Sequence, residues 1–164
     1  THGELCNCGN YGCWETKVSQ NSLYKKVISL VESGQTSMLV EKTQGQWERL
    51  SVEMIVDAAQ AGDKVAIRSF EEIGYSLGVG IASLLNALNP EIVVLGGILS
   101  IASEFLFPVV HEEIQKRALQ WSRESVKIVC AAHGSDACVK GGVATVYQFI
   151  LSQAAPPLHL LIGS

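Results

Sequence analysis

The chain has no uninterrupted apolar run long enough to cross a bilayer. Its most weakly polar stretch, Leu77 to Leu88, is broken by Ser83 and Asn86, well short of the roughly 20 apolar residues a membrane helix needs. It also has no basic face. The formal net charge is −4, and the only basic clusters are Lys25-Lys26 and Lys116-Arg117, each of which reads as a solvated helix face rather than a nucleic-acid footprint. No secretory leader pattern precedes the first motif, and five cysteines is an odd number, so a framework of structural disulfides is not expected.

What the chain does have is a dense group of thiols near its start. Cys6, Cys8 and Cys13 stand in Cys-Asn-Cys-Gly-Asn-Tyr-Gly-Cys-Trp-Glu, a C-x-C-x4-C pattern that core packing gives no reason to make. Thiolates are soft ligands, and Gly9 and Gly12 supply the backbone freedom that lets three sulfurs converge within about 2.3 Å of one Zn²⁺. His2 is the nearest fourth donor, at a tight reach.

The remainder reads as one domain. At 164 residues, 48% hydrophobic and 17% charged, the chain is near the prior of about 150 residues per domain and can bury a core. The apolar spacing predicts a helix over Trp14 to Ser33, stopped by Gly34, then an irregular stretch to Leu50. A short helix follows, opened by Ser51 and Glu53, with Val52, Ile55, Val56 and Ala59 inward. Gly62-Asp63 closes that helix and caps the next. From Lys64 to Leu88 the steps Phe70, Ile73, Leu77, Ile81, Leu84 and Leu88 predict a long amphipathic helix. Its second row, Gly74, Gly78 and Ala82, predicts close approach of another backbone.

Asn89-Pro90 ends the long helix, and Glu91 to Leu95 is a continuous apolar run expected to be a strand covered on both faces. A helix from Ser103 to Leu119, a second buried strand from Val126 to Ala131 and a final helix from Ala137 to Leu151 complete an α/β alternation with parallel strands. Cys130 and Cys138 read as core thiols, Asp136 as a helix cap and His133 as a lone loop histidine. Residues 153–164 read as a loosely ordered tail behind a domain of residues 1–152. Gly96-Gly97, directly after the first strand, suits either the close approach of a phosphate or a tight turn.

Taken together, these motifs resemble the ROK family of repressors, open reading frames and sugar kinases. The likeness rests on the cysteine loop through Glu15, Ala61-Gly62-Asp63, Gly78-Val-Gly-Ile-Ala82 through Asn89-Pro90, Val93-Val-Leu-Gly-Gly97 and Gly134-x-Asp136-Ala137 through Gly141. The resemblance implies the C-terminal lobe of a sugar-kinase, actin and Hsp70-like (ribonuclease H-like) fold in a cytoplasmic protein. It implies structural zinc held by Cys6, Cys8 and Cys13 with a histidine upstream of Thr1, and a sugar or sugar phosphate contacted by Glu15. Dimers or tetramers are common in the family.

The kinase motifs Asp-x-Gly-x-Thr, Asn-Asp and Glu-x-Gly-His are not in these residues. Trp14 resembles the repressor branch, where kinases more often carry leucine or isoleucine, and Ile98 departs from the third glycine of many kinases. The reading is therefore the sugar-sensing domain of a transcriptional repressor that reaches DNA through an N-terminal domain outside these residues. The alternative is the C-terminal half of an ATP-dependent hexose or N-acetylhexosamine kinase, in which Gly96 and Gly97 approach the nucleotide.

Overall fold

The computed structural model describes residues 3–132 and 134–154. Eight α-helices and two strands are arranged among them. The expected first helix is two: α1 (Glu15–Val18) and α2 (Gln20–Glu32). Ser19 separates them because it takes extended backbone, and its hydroxyl accepts from the Ser22 N–H at 3.3 Å, the preference of a short hydroxyl side chain for an N-cap. The stretch expected to be irregular holds α3 (Leu39–Thr43) and a single 3-10 turn at Trp47–Arg49. Ser51 caps α4 (Val52–Gln60), and Asp63 caps α5 (Lys64–Leu88).

Asp63 does more than cap. One carboxylate oxygen accepts from the N–H groups of Val65 and Ala66 at 2.9 and 3.0 Å, and the other accepts from the Ser37 hydroxyl and the Met38 N–H at 2.8 and 2.7 Å. The start of α5 is thereby tied to the segment leading into α3. Leu23, Val27, Leu39, Ile55, Val65 and Phe70 close one apolar cluster over this junction.

The second half is built on α5 against α6 (Ser103–Arg117). The glycine row is the contact, as expected. A methyl group on Gly74 would lie 3.1 Å from the Val109 Cβ, and one on Gly78 would lie 2.7 Å from the Glu113 Cβ and 3.1 Å from the Val110 backbone. Phe70, Ile73 and Ile81 of the expected row are buried, but toward the end of α5 the buried face departs from that row. Gly78, Ile81, Ala82 and Leu85 face inward, while Leu84 and Leu88 are exposed. Gly78→Ala should therefore destabilise the fold. Helix propensity returns about 1 kcal/mol, but overpacking costs about 1–3 kcal/mol, and the atom in the way is a Cβ fixed to a backbone. Gly141→Ala, where nothing lies within 4 Å, should be neutral or stabilising. Denaturant titration of both variants checks the contrast, and a stabilised Gly78→Ala would refute it.

At this contact the buried Glu113 carboxylate receives Arg117 Nε at 2.8 Å and Lys116 Nζ at 3.0 Å. The Arg117 hydrogen bond, then that of Lys116, holds its pKa below the ordinary carboxylate value. A depressed folded pKa contributes stability above the unfolded value of about 4.3 and loses it as pH falls through the folded one. Glu113→Gln should therefore flatten the acid limb of a stability-against-pH curve. An unchanged acid limb would show that the pair is not coupled to folding.

Strands β1 (Ile92–Leu95) and β2 (Lys127–Cys130) pair in parallel, Ile92 opposite Lys127 and Leu95 opposite Cys130. The expected pairing is there, but the two-sided cover is not. Val93, Leu95, Val126 and Ile128 pack on the Ile81, Leu85, Val110 and Ile114 cluster, whereas Ile92 and Val94 are 52% and 55% exposed. Among the described residues, helices lie on one face of this sheet only. Cys130, expected in the core, is exposed at the end of β2, although it shares the covered side with Ile128.

The helix expected to end at Leu119 stops at Arg117. Asn86 holds the break, donating to the Arg117 carbonyl and accepting from the Leu119 N–H. A short α7 (Gln120–Ser125) precedes β2. The last helix, α8 (Ala137–Ala154), runs through the start of the expected tail. His2, His133, the Cys138 side chain and residues 155–164 lie outside the described residues, and no helix among those described is long and apolar enough to cross a membrane.

Candidate metal and ligand site

The cysteine loop is a closed backbone ring. Leu5 and Tyr11 form an antiparallel bridge, the Cys6 N–H donates to the Asn10 carbonyl at 2.8 Å, and the Gly12 N–H donates to the Glu4 carbonyl at 2.9 Å. Gly9 and Gly12 take φ of +87° and +73°, where a side chain would be strained. Gly3 crosses so close that a Cβ there would sit 2.4 Å from the Gly12 Cα.

The ring turns Cys6, Cys8 and Cys13 inward, with all three Sγ atoms within 4.8 Å of one another and Cys8 to Cys13 at 3.5 Å. Bonds of about 2.3 Å to a tetrahedral ion put sulfurs about 3.8 Å apart, so the spacing fits a soft divalent metal. The electrostatics fit it too. The Asn10 backbone N–H, then Cys13 and Cys6, lower the pKa of Cys8, while the hydrogen bond with Cys8, then that with Cys6, pushes Cys13 up to about 11. Three adjacent sulfurs therefore do not all ionise without a cation among them. Among the described residues, only these three offer donors in mutual reach.

The loop is tied to the helices at three points. Glu4 receives Lys25 at 2.9 Å and Lys17 at 3.1 Å, and these cations, Lys25 first, lower its pKa. The Thr16 hydroxyl donates to the Cys13 carbonyl at 2.7 Å. Trp14 reaches furthest: its indole Nε1 donates to the Ser76 carbonyl of α5 at 2.8 Å, and its ring fills a notch at Gly80, where a Cβ would come within 2.1 Å of it. Gly80 lies outside the expected row of Gly74, Gly78 and Ala82. The Gly78-x-Gly80 spacing was the available signal for a second close contact on another face of the helix.

Glu15, at the first position of α1, places a carboxylate oxygen 3.7 Å from the Cys6 Sγ, which donates to it. Together with Asn7, Asn21, Ser22 and Lys25 it lines a cleft of about 90 Å³, beside a larger one of about 260 Å³ over Lys17, Lys26 and Glu72. The structure thus brings Glu15 to the cysteine loop. Gly96 and Gly97 stand apart from it. Gly96 lines a separate cavity with Leu95, Leu99 and Phe107. Gly97, at φ +83° and ψ −178°, occupies backbone almost reserved to glycine, and its carbonyl accepts from the Ser100 N–H and hydroxyl. These bonds make a tight turn at Gly97.

These features are shared with known proteins. The model of the ROK family matches residues 1–148. A xylose repressor of Caldicellulosiruptor bescii is 30% identical over 91% of this chain and 37% of its own length. A glucokinase of Halalkalibacterium halodurans is 34% identical over 85% of this chain and 42% of its own. The crystal structure of a ROK family glucokinase from Streptomyces griseus, in complex with glucose and AMPPNP, superposes with a TM-score of 0.73 at 26% identity, covering 82% of this chain and 44% of that one. The chain thus spans well under half the length of these relatives. Their common architecture identifies the fold as the C-terminal lobe of a sugar-kinase, actin and Hsp70-like (ribonuclease H-like) protein. The chain belongs to the ROK family.

Proposed function

We propose that this chain is the sugar-sensing effector lobe of a ROK-type transcriptional repressor, with Zn²⁺ bound by Cys6, Cys8 and Cys13 as a structural lock. The observation that carries the reading is Trp14. It stands between the third thiol and Glu15, in the position where this loop resembles the repressor branch, and it fastens the loop to α5 through Ser76 and the Gly80 notch. With a histidine upstream of Thr1 as the fourth ligand, the zinc site is closed and activates no water. It holds the loop and the start of α1 so that Glu15 faces the cleft, where its carboxylate accepts from a sugar hydroxyl. DNA is bound through a domain outside these residues. The lobe occupies residues 1–152, and the uncovered strand face with Ile92 and Val94 favours association of copies.

The second reading is the C-terminal half of an ATP-dependent hexose or N-acetylhexosamine kinase. The glucokinase relative supports it, with Gly96 and Gly97 near the nucleotide. Two measurements test the pair of readings. In the parent polypeptide, Glu15→Gln should weaken sugar binding about tenfold, as the loss of a hydrogen bond from a charged acceptor does, and unchanged affinity by calorimetry would remove Glu15 from the site. The reading frame before Thr1 separates the functions. A helix-turn-helix extension supports the repressor; an Asp-x-Gly-x-Thr motif and an Asn-Asp pair without such an extension support the kinase.

A further inference from the structure

We propose that Cys8 and Cys13 are a site of reversible thiol-disulfide exchange, at which the metal-free loop reacts with a low-molecular-weight disulfide such as oxidised glutathione to form an internal Cys8–Cys13 bond. The three thiols are not equivalent. Cys8 and Cys13 lie Sγ to Sγ at 3.5 Å, with Cys8 exposed and Cys13 half-buried. Cys6 is only 6% exposed, and its thiol is turned to the Glu15 carboxylate. Bonding at about 2.05 Å asks the two sulfurs to close by about 1.5 Å. The Leu5–Tyr11 bridge and the Cys6 N–H to Asn10 carbonyl bond keep the ring shut on the pair.

The exchange balances in two steps. The Cys8 thiolate attacks one sulfur of oxidised glutathione, its S–S bond breaks, and a mixed disulfide forms as one glutathione thiolate leaves. The Cys13 sulfur, its proton lost to solvent, then attacks the Cys8 sulfur and displaces the second glutathione. Two cysteine thiols are oxidised by two electrons, and one glutathione disulfide is reduced to two thiols. Because the bond consumes two of three donors, the disulfide and a bound metal exclude each other. The site therefore couples metal occupancy to the thiol-disulfide balance of its surroundings, independently of what the lobe senses.

The test uses the full chain with Cys130→Ser and Cys138→Ser, so that only the loop thiols remain. After metal is stripped by a chelator, excess oxidised glutathione should give a product lighter by two hydrogens with one thiol left, and fragmentation of the peptide from Thr1 to Lys17 should place the bond between Cys8 and Cys13. Cys6→Ser should still form the bond. Cys8→Ser and Cys13→Ser should end as free thiols or glutathione adducts. Preloading with Zn²⁺ should slow the reaction at least tenfold. Three surviving thiols, comparable yields of a bond to Cys6, or an equal rate with zinc bound would each overturn the proposal.

Discussion

Replacing Asp63 by alanine is expected to cost the fold about 3–4 kcal/mol. An N-cap alone contributes about 0.5–2 kcal/mol, and a buried donor stripped of its acceptor costs about 1–3 kcal/mol. Asp63 is 93% removed from solvent by its 7% exposure and receives four hydrogen bonds. Loss of the carboxylate leaves the Met38 N–H and the first N–H groups of α5 without their acceptor, and it unties α5 from the segment before α3. Asp63→Asn should recover only part of the loss. Its NH₂ must face either the Val65 and Ala66 pair or the Met38 N–H, all of which are donors. Urea unfolding should show the midpoint fall with an unchanged slope. A loss below about 1 kcal/mol for the alanine variant would mean that water replaces the carboxylate and that the bracket is not structural.

Zinc should bind the chain with one equivalent per molecule, and Cys13→Ser should lower that affinity by at least about 100-fold, since losing a ligand exceeds the 10–100-fold cost of losing a supporting residue. The pH dependence has a definite sign. The Cys13 thiol is held up at about 11 beside Cys8, so near neutrality the metal must displace its proton. Affinity should therefore rise with pH by about a factor of ten per unit for each proton released. Competition titration with a chromogenic chelator at several pH values measures both quantities. A flat profile, or a Cys13→Ser variant that binds as tightly as the parent, would show that the three sulfurs do not act as one donor set. Trp14 offers a second readout, because its indole bridges the loop to α5.

Much of the helical order was legible residue by residue. The ends of α4 and α5 follow from side chains that act on their own neighbours, Ser51, Asp63 and the left-handed Asn89. The break at Ser19 belongs to the same class of signal, but an apolar spacing that continued across it concealed the cap. The rotation of the α5 face was not legible, because it depends on which row of small residues meets α6 and how closely. The cover of the strands was illegible for a related reason. A run such as Ile92 to Leu95 records what a strand can bury, and only the neighbours present decide what it does bury.

At the site the division is sharper. The sequence by itself determined that three thiols can converge, since C-x-C-x4-C keeps them within eight residues and Gly9 and Gly12 permit the left-handed turns that bring them together, and it determined the family through motifs whose order is local text. Tertiary structure alone decided what the loop is fastened to. The indole of Trp14 against Gly80, Glu4 between Lys17 and Lys25, and Asp63 reaching back to Met38 join residues separated by 13 to 66 positions along the chain. Such contacts leave no periodicity to read. Their energy depends on distances that exist only once the helices have packed, and so does the choice of which two of the three thiols stand closest together.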